Sequence, residues 1–182
     1  MKKILLALVC IAAMTASAQQ YGIKYLRYDE DFSYLKDSTH RSPYERLKYI
    51  PLHTENTAWL TLGGELRYQY QLFENEEWGE APEDRDGFIL VRNLFHADLR
   101  TKSGFRFFTQ LKSNSIKSRE VPPKSIDVND FDVHQAFAEF RFPTAKGEWG
   151  ARVGRQEIRL GSQRLVTARE GPNNRLAFDG AR

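Results

Sequence analysis

Hydrophobic and polar residues alternate along the segment that begins at Trp59. Even positions are apolar or glycine and odd positions are mostly polar, most clearly in residues 60–67. Successive side chains of a β-strand point to opposite faces, so the pattern predicts a strand from Trp59 to Leu72 with one apolar and one polar face. Membrane strands need about 9–11 residues and strands of soluble proteins average about 5–6, so this length favours a membrane strand.

Further segments alternate in the same way and predict strands at 87–101, 105–112, 132–142 and 149–156, with a sixth beginning near Asn174. The connections at 102–104 and 143–148 are short, and those at 74–86, 113–131 and 159–173 are long. Short turns at one end and long loops at the other are typical of outer-membrane barrels. The predicted fold class is all-β: an antiparallel up-and-down transmembrane β-barrel with only its first five or six strands in this chain. Because a lipid-spanning barrel needs at least about eight strands, we expect the chain to be the N-terminal portion of a longer protein, or else several copies to assemble.

The N-terminus has the features of a secretory signal peptide over residues 1–18. Two lysines precede an apolar stretch at 4–13, and small residues at 16–18 predict cleavage between Ala18 and Gln19. We therefore expect export to the outer membrane of a Gram-negative bacterium. Residues 19–58 show no clean period and are interpreted as a periplasmic or plug-like segment, with a flexible leader as the alternative. Residues 59–182 are the predicted, incomplete barrel domain.

Composition excludes several classes of protein. Without the signal peptide the chain has 25 basic and 24 acidic residues, which gives no argument for nucleic-acid binding. The only cysteine, Cys10, lies in the signal peptide, so disulfides and thiolate metal sites are not expected. No later segment is apolar enough to predict a transmembrane helix.

The polar face of the predicted strands is rich in arginine, and the residues concerned are Arg67, Arg92, Arg100, Arg106 and Arg152. Arginine keeps its charge and binds carboxylates through two parallel hydrogen bonds, and rings of basic residues line anion pores. From Arg141 onward nine basic residues stand against four acids, which favours an anion path. The alternative is that these arginines pair with Glu65, Asp98, Glu139 and Glu157 and simply fill the interior.

No catalytic or cofactor motif accompanies this pattern. The connection 74–86 contains seven acids and one arginine, which could bind a hard cation such as calcium but is better explained as a solvated outer loop. The histidines (His40, His53, His96 and His134) are scattered, and neither a phosphate loop nor a nucleophile elbow is present. We expect no metal, no cofactor, no catalytic residue and no enzymatic activity. A soluble periplasmic ligand-binding β-domain and a barrel enzyme acting on lipid or peptide are the competing hypotheses.

Several motifs resemble bacterial alginate-export outer-membrane proteins over about residues 47–182. The run Leu60-Thr61-Leu62-Gly63-Gly64-Glu65-Leu66-Arg67 resembles their opening strand, and Val153-Gly154-Arg155-Gln156-Glu157-Ile158 resembles their Gly-Arg-Gln motif. The other matching positions are His134-Gln135-Ala136-Phe137, Arg164, Glu170-Gly171-Pro172-Asn173, Arg175 and Phe178-Asp179-Gly180.

The resemblance implies a large barrel of about eighteen strands, monomeric when full length, inserted in outer-membrane lipid by the barrel-assembly machinery. Its partner would be an anionic polysaccharide or a smaller anionic solute that passes through an arginine-lined lumen. Candidate lumen residues are Glu65, Arg67, Arg92, Arg100, Arg106, Arg152, Arg155, Gln156 and Arg164. Strict alternation turns Arg155 toward lipid, so its place in this set requires a bulge at Gly154.

Overall fold

The computed structural model describes residues 23–182 except 82–85 and 146. The chain forms two compact units, Met1–Asp31 and Phe32–Arg182. The described part of the first unit contains one 3-10 helix, Arg27–Asp29, followed by Glu30, whose carboxylate accepts a hydrogen bond of 3.0 Å from Arg27. The predicted signal peptide and the cleavage site between Ala18 and Gln19 lie outside the described residues.

The second unit begins with a 3-10 helix, Ser33–Asp37, and a short helix α1, Pro43–Lys48. The start of α1 is determined locally. Ser42 Oγ accepts a hydrogen bond from the backbone N–H of Glu45, and the Glu45 carboxylate accepts one from the backbone N–H of Ser42. This capping box satisfies two backbone donors at a helix start, and Pro43 at the first position needs no hydrogen bond.

The rest of the unit is one antiparallel sheet in which every strand pairs with its neighbours in sequence. The strands are β1 Ile50–Pro51, β2 Ala58–Gln71, β3 Phe88–Thr101, β4 Phe105–Lys117, β5 Asn129–Thr144, β6 Gly147–Gln156 and β7 Phe178–Ala181. A 3-10 turn, Glu76–Gly79, lies between β2 and β3. No helix in the described part of the chain is long and apolar enough to cross a membrane.

The all-β antiparallel class is confirmed, as are the five long strands predicted from alternation. The strand count differs from the predicted five or six, because seven strands are present among the described residues. The two-residue β1 is too short to produce a pattern. The last strand begins at Phe178 and not near Asn174, because the backbone N–H of Asn174 donates to Ile126 in the β4–β5 connection and its side chain bonds to that connection and to Asn114 of β4.

The two faces of the sheet differ in what they present to the outside. The apolar face is open: on β2 the exposed fractions of Leu66, Tyr68 and Tyr70 are 63%, 71% and 62%. The polar face is covered, and Arg92 on β3 is only 1% exposed. The arrangement is the reverse of a soluble sheet, in which the apolar face packs against the core.

Two segments cover the polar face. Near the start of β2, Phe32, Leu35 and Tyr49 form a small core with Trp59, and the rings of Tyr49 and Trp59 stack at 5.7 Å. At the opposite end, the β6–β7 connection (residues 157–177, hereafter the strap) lies against the strands that carry the arginines, as its bond from Glu170 to Arg67 shows. Residues 32–57 thus belong to the same compact unit as the sheet, and a plug role for residues 19–58 stays a prediction.

A β-bulge in β5 decides which side chains reach the polar face. Gln110 on β4 is opposite Gln135, but the next residue, Leu111, is opposite Val133, so His134 is the extra residue. A bulge lets two consecutive side chains avoid strict alternation. Both His134 and Gln135 are therefore buried on the polar side.

Candidate functional site: the charged face

The charged side chains of the polar face form two groups. The turn-side cluster, near the short turns, consists of Asp98, Arg100, Arg106, Glu139, Arg141, Glu148 and Arg152. The loop-side cluster, near the long connections, consists of Glu65, Arg67, Arg92, Glu157, Glu170 and Arg175. Strands supply every member of the first cluster, whereas the strap supplies three members of the second.

Strand register assembles the centre of the turn-side cluster. Arg106 on β4 stands opposite Arg100 on β3 and opposite Glu139 on β5. Asp98 accepts two hydrogen bonds from Arg106, at 2.8 and 2.7 Å, and one from Arg100 at 3.1 Å. Arg106 Nη1 also lies 3.7 Å from Glu139 Oε1 and so connects the two carboxylates. A single carboxylate between two guanidinium groups offsets the repulsion that opposed like charges would cause.

The outer part of this cluster is built around Glu139. It accepts hydrogen bonds of 2.5 Å from the Nε atoms of both Arg152 and Arg141. The guanidinium carbon of Arg152 also lies 4.2 Å from the ring centroid of Phe137, which stacks on Phe108 at 5.2 Å. The ring faces of this aromatic pair thus form an apolar surface that holds the buried guanidinium group of Arg152 by cation–π attraction.

The loop-side cluster places three guanidinium groups around three carboxylates, two of which belong to Glu65 and Glu170. Arg67 and Arg92 are opposed on β2 and β3. Arg92 donates to Glu65 at 2.9 and 2.6 Å and also bonds to Glu170. Arg67 donates to the backbone carbonyl of Glu170 at 3.0 Å, and Arg175 Nη1 lies 3.5 Å from the Glu170 carboxylate.

Glu157 closes this cluster at the start of the strap. Its carboxylate bonds to His134 Nε2 at 2.8 Å and accepts a hydrogen bond from Arg175 at 2.9 Å. Its backbone N–H donates to Gln135 Oε1 at 2.9 Å. The bulge in β5 brings the His134 ring to the carboxylate of Glu157 and the Gln135 amide oxygen to its backbone N–H, so the strap is anchored where strand alternation is broken.

Two asparagines anchor the other end of the strap. Asn173, which is fully buried, donates to the backbone carbonyls of Val91 at 3.0 Å and Asp127 at 2.9 Å. Asn174 donates to the carbonyl of Val128 at 3.0 Å. The carbonyls of Asp127 and Val128 lie outside the strands, and these amides supply hydrogen bonds to them, as buried polar groups require. The strap is thus held on both sides of Glu170.

Most of the predicted lumen candidates share the polar face, namely Glu65, Arg67, Arg92, Arg100, Arg106, Arg152 and Gln156. Arg164 is exposed in the strap, outside both clusters. The role of all these candidate residues in lining a lumen stays a prediction.

Arg155 does not join the others. The β5–β6 register continues through Gly154 without a shift, so the bulge needed to turn Arg155 inward is absent from these strands. Arg155 lies opposite Ala136 on the apolar face and bonds to Asp179 of β7 at 3.0 and 3.1 Å. Gly154 has φ +129. Glycine is needed there because β6 approaches β5 closely, and a Cβ at this position would lie 2.3 Å from the carbonyl oxygen of Ala136.

The alternative in which arginines pair with interior acids also has support. Arg92 contacts Glu65, Arg106 contacts Asp98 and Glu139, and Arg152 contacts Glu139. Pairing of this kind compensates the desolvation of buried charges and contributes little net stability. The guanidinium groups are therefore fixed in position, and each donor that a carboxylate leaves unused can still bind an anion, because a guanidinium carries five N–H donors.

The acidic connection 74–86 is tied to basic residues of the β4–β5 connection. Glu76 accepts hydrogen bonds from Lys124 at 2.9 Å and Arg119 at 3.0 Å, and Glu77 accepts one from Lys124 at 3.0 Å. The bond from Lys124 is the main cause that lowers the pKa of Glu76, and the charge of Arg119 adds to it. Among the described residues no three acidic or histidine side chains are arranged to hold a metal ion, and Glu83 and Asp84 lie outside them.

Sequence reasoning did not assign a role to Glu170, Asn173 or Arg175, although the motif containing them was noticed. The useful signal was the unusual density of turn-forming and charged residues from Glu170 to Arg175 in a connection that has no strand period. Binding residues are disproportionately found on loops that a rigid scaffold positions.

The described residues form an all-β protein with one antiparallel sheet. One face of the sheet is rich in arginine and is covered by other segments of the chain, and the opposite face is apolar and exposed. The model of the family described as Alginate export matches residues 58–182. The chain belongs to this family, and membership suggests a role in polysaccharide export and a transport function. Neither a curated protein nor a solved structure matches the chain.

Proposed function

We propose that this sheet forms part of the wall of an outer-membrane β-barrel, a passive conduit for an alginate-like anionic polysaccharide or a smaller anionic solute. The observation that carries the proposal is the opposite character of its two faces. One face exposes Leu66, Phe95 and Val153 at 63%, 56% and 61%, and the other buries two clusters of paired arginines and acids. Apolar side chains in lipid and polar ones around water are the arrangement of a transmembrane barrel.

Strand length and pairing support the membrane part of the proposal. The five long strands contain between 10 and 16 residues, enough to cross a hydrocarbon core with about 9–11. The inner strands β3 and β4 are paired along almost their whole length on both edges, so their backbone groups are satisfied as lipid requires. The outer edge of β2 is paired only at Trp59 and Leu60, and that of β6 only at residues 153–156. Closure of such a wall needs strands in addition to the seven described, because the smallest membrane barrels have about eight.

The turn-side cluster supports a preference for anions. It contains four arginines, Arg100, Arg106, Arg141 and Arg152, against three carboxylates. A cavity of about 330 Å³ opens there, lined by side chains that include Arg141 and Arg152. Fixed guanidinium groups at the wall of a water-filled space attract carboxylates without having to be reordered first.

Conductance of the full-length protein in planar bilayers tests this function. We expect a pore whose reversal potential in a salt gradient shows anion preference. Arg141→Gln should reduce that preference, because Arg141 lies on the polar face and its side chain is 48% exposed. Arg155→Gln is the matched control, since its side chain is 44% exposed on the apolar face, and it should leave the reversal potential unchanged.

Two results would count against the proposal. Equal reversal potentials for the wild type, Arg141→Gln and Arg155→Gln would contradict the assignment of the lumen to the polar face. Recovery of the exported protein in a detergent-free periplasmic extract would favour a soluble binding domain.

A further inference from the structure

We propose that Arg67, Arg92 and Arg175 form a carboxylate-binding subsite that Glu170 of the strap fills, and that a uronate carboxylate of the passing polysaccharide takes its place. The inference rests on the proposed conduit and adds a specific binding position with a built-in competitor. Glu170 bonds to Arg92, its carboxylate lies 3.4 Å from Arg67 Nη1, and it lies 3.5 Å from Arg175 Nη1.

The carboxylate is the partner that can leave. The side chains of Arg92 and Arg175 are 1% and 2% exposed and that of Arg67 is 20% exposed, whereas that of Glu170 is 47% exposed. Arg67 and Arg92 stand on paired strands, and Glu170 stands on a connection. Its neighbour Arg169 has φ +53, a left-handed conformation that is unfavourable for a side chain other than glycine. Release of Glu170 would allow that residue to relax.

The anchors of the strap allow Glu170 to move alone. The bonds from Asn173 to the carbonyls of Val91 and Asp127, and that between Glu157 and His134, do not involve Glu170. Exchange therefore requires a rearrangement around residues 169–171 and not the release of the whole connection. A contact that breaks locally is also one that an incoming ligand can replace quickly.

The charges match one carboxylate of the proposed ligand. With Glu170 withdrawn, three guanidinium groups remain against two carboxylates, those of Glu65 and Glu157. The excess of one positive charge is balanced by one uronate unit. Opposed Arg67 and Arg92 also need an anion between them, because like charges directly across a sheet repel.

An internal competitor makes binding weak enough for transport. Conduction requires that a ligand enter a site and also leave it. A subsite filled by Glu170 for most of the time binds ligand with an affinity reduced by the fraction of time in which it is free. Glu170 would thus lower the affinity of the subsite enough for the polysaccharide to leave it.

The experiment measures the block of ionic current through the full-length protein in planar bilayers by a short oligouronate. Glu170→Gln keeps the size of the side chain and removes its charge, and we expect the dissociation constant for block to fall about tenfold, as it would if Glu170 filled the subsite about nine-tenths of the time. Adding Arg67→Gln to Glu170→Gln should abolish the gain. Block by a neutral oligosaccharide of the same length should be the same in every variant.

Glu77→Gln is the control for charge. It also removes one acid from a connection, and Glu77 bonds to Lys124 at 3.0 Å outside both clusters. It should leave the block unchanged. An anion-preferring pore that oligouronate blocks equally in wild type and Glu170→Gln would overturn the subsite and leave the conduit intact. A protein without conductance or without anion preference would overturn both.

Discussion

Arg67 on β2 and Arg92 on β3 stand directly opposite each other on the same face of the sheet. Like charges in this position destabilise a sheet unless an anion lies between them. Two carboxylates of different origin provide it: Glu65 from the same strand as Arg67, and Glu170 from the strap. The stability of this end of the sheet therefore depends on acids as much as on arginines.

Glu65→Gln should destabilise the protein by about 2 kcal/mol, because it leaves the buried Arg92 with a single shared carboxylate. Urea unfolding of the full-length protein in lipid vesicles, followed by tryptophan fluorescence, measures the change. Glu148→Gln is the control, since the Glu148 side chain is 57% exposed and makes one contact of 3.5 Å to Arg141. Its effect should stay below about 0.5 kcal/mol. Equal effects of the two substitutions would show that the buried pairing is unimportant.

Phe137→Ala should cost about 3–5 kcal/mol, the usual range for removal of a buried ring. Phe137 is 1% exposed, stacks on Phe108 and supports the guanidinium of Arg152. The same unfolding experiment applies. Phe140→Ala, on the same strand but 46% exposed on the opposite face, should cost clearly less. If the order of the two costs were reversed, the assignment of the faces would be wrong.

Gly104→Ala should weaken the β3–β4 turn by at least about 1–2 kcal/mol. Gly104 has φ +87, and a Cβ there would lie 1.9 Å from the carbonyl oxygen of Arg141. The Gly104 carbonyl also accepts a hydrogen bond of 2.9 Å from Arg141 N. Gly150→Ala is the control, because its nearest contact would be an ordinary 3.7 Å. Hydrogen exchange at the Arg141 amide should rise in the first variant and not in the second.

Contact between the β2–β3 and β4–β5 connections should depend on pH through Glu76. Lys124 and Arg119 hold the pKa of Glu76 below its usual value of 4.5. A carboxyl whose pKa is lowered by folding contributes stability that is complete above its unfolded pKa and is lost as pH falls through the folded one. We therefore expect protection of both connections from proteolysis to be constant above pH 4.5 and to decline below it. Glu76→Gln should show weaker protection with no such decline, and a wild type without any change in this window would contradict the role of Glu76.

Alternation along the chain was sufficient to predict the five long strands and the face on which Arg92 and Arg106 lie. The reason is that successive side chains of a strand point to opposite faces, so the face of a residue depends almost entirely on whether its position in the strand is odd or even. Alternation alone places Arg155 on the apolar face, and the bulge at Gly154 that its prediction as a lumen residue required is absent. Alternation failed at His134, where a real bulge lies, because no local residue type marks that position.

The partners of the arginines could be predicted only in part. Short turns fix the register of the strands they join, so Glu139 on β5 meets Arg152 on β6 as a consequence of strand order. The contact between Arg67 and Glu170 joins residues 103 positions apart, and the strap has no periodic pattern from which its path could be inferred. Long-range contacts of irregular segments depend on the completed tertiary structure.

The neighbour-to-neighbour pairing of the sheet has a consequence for the order of assembly. Each hairpin can form as soon as its two strands exist, because its contacts are close in sequence. The Arg67 to Glu170 contact must close a loop of 103 residues and is expected to come last. Until then Arg67 and Arg92 lack one of their two carboxylate partners, so the charges on this face stay unbalanced until the strap folds onto it.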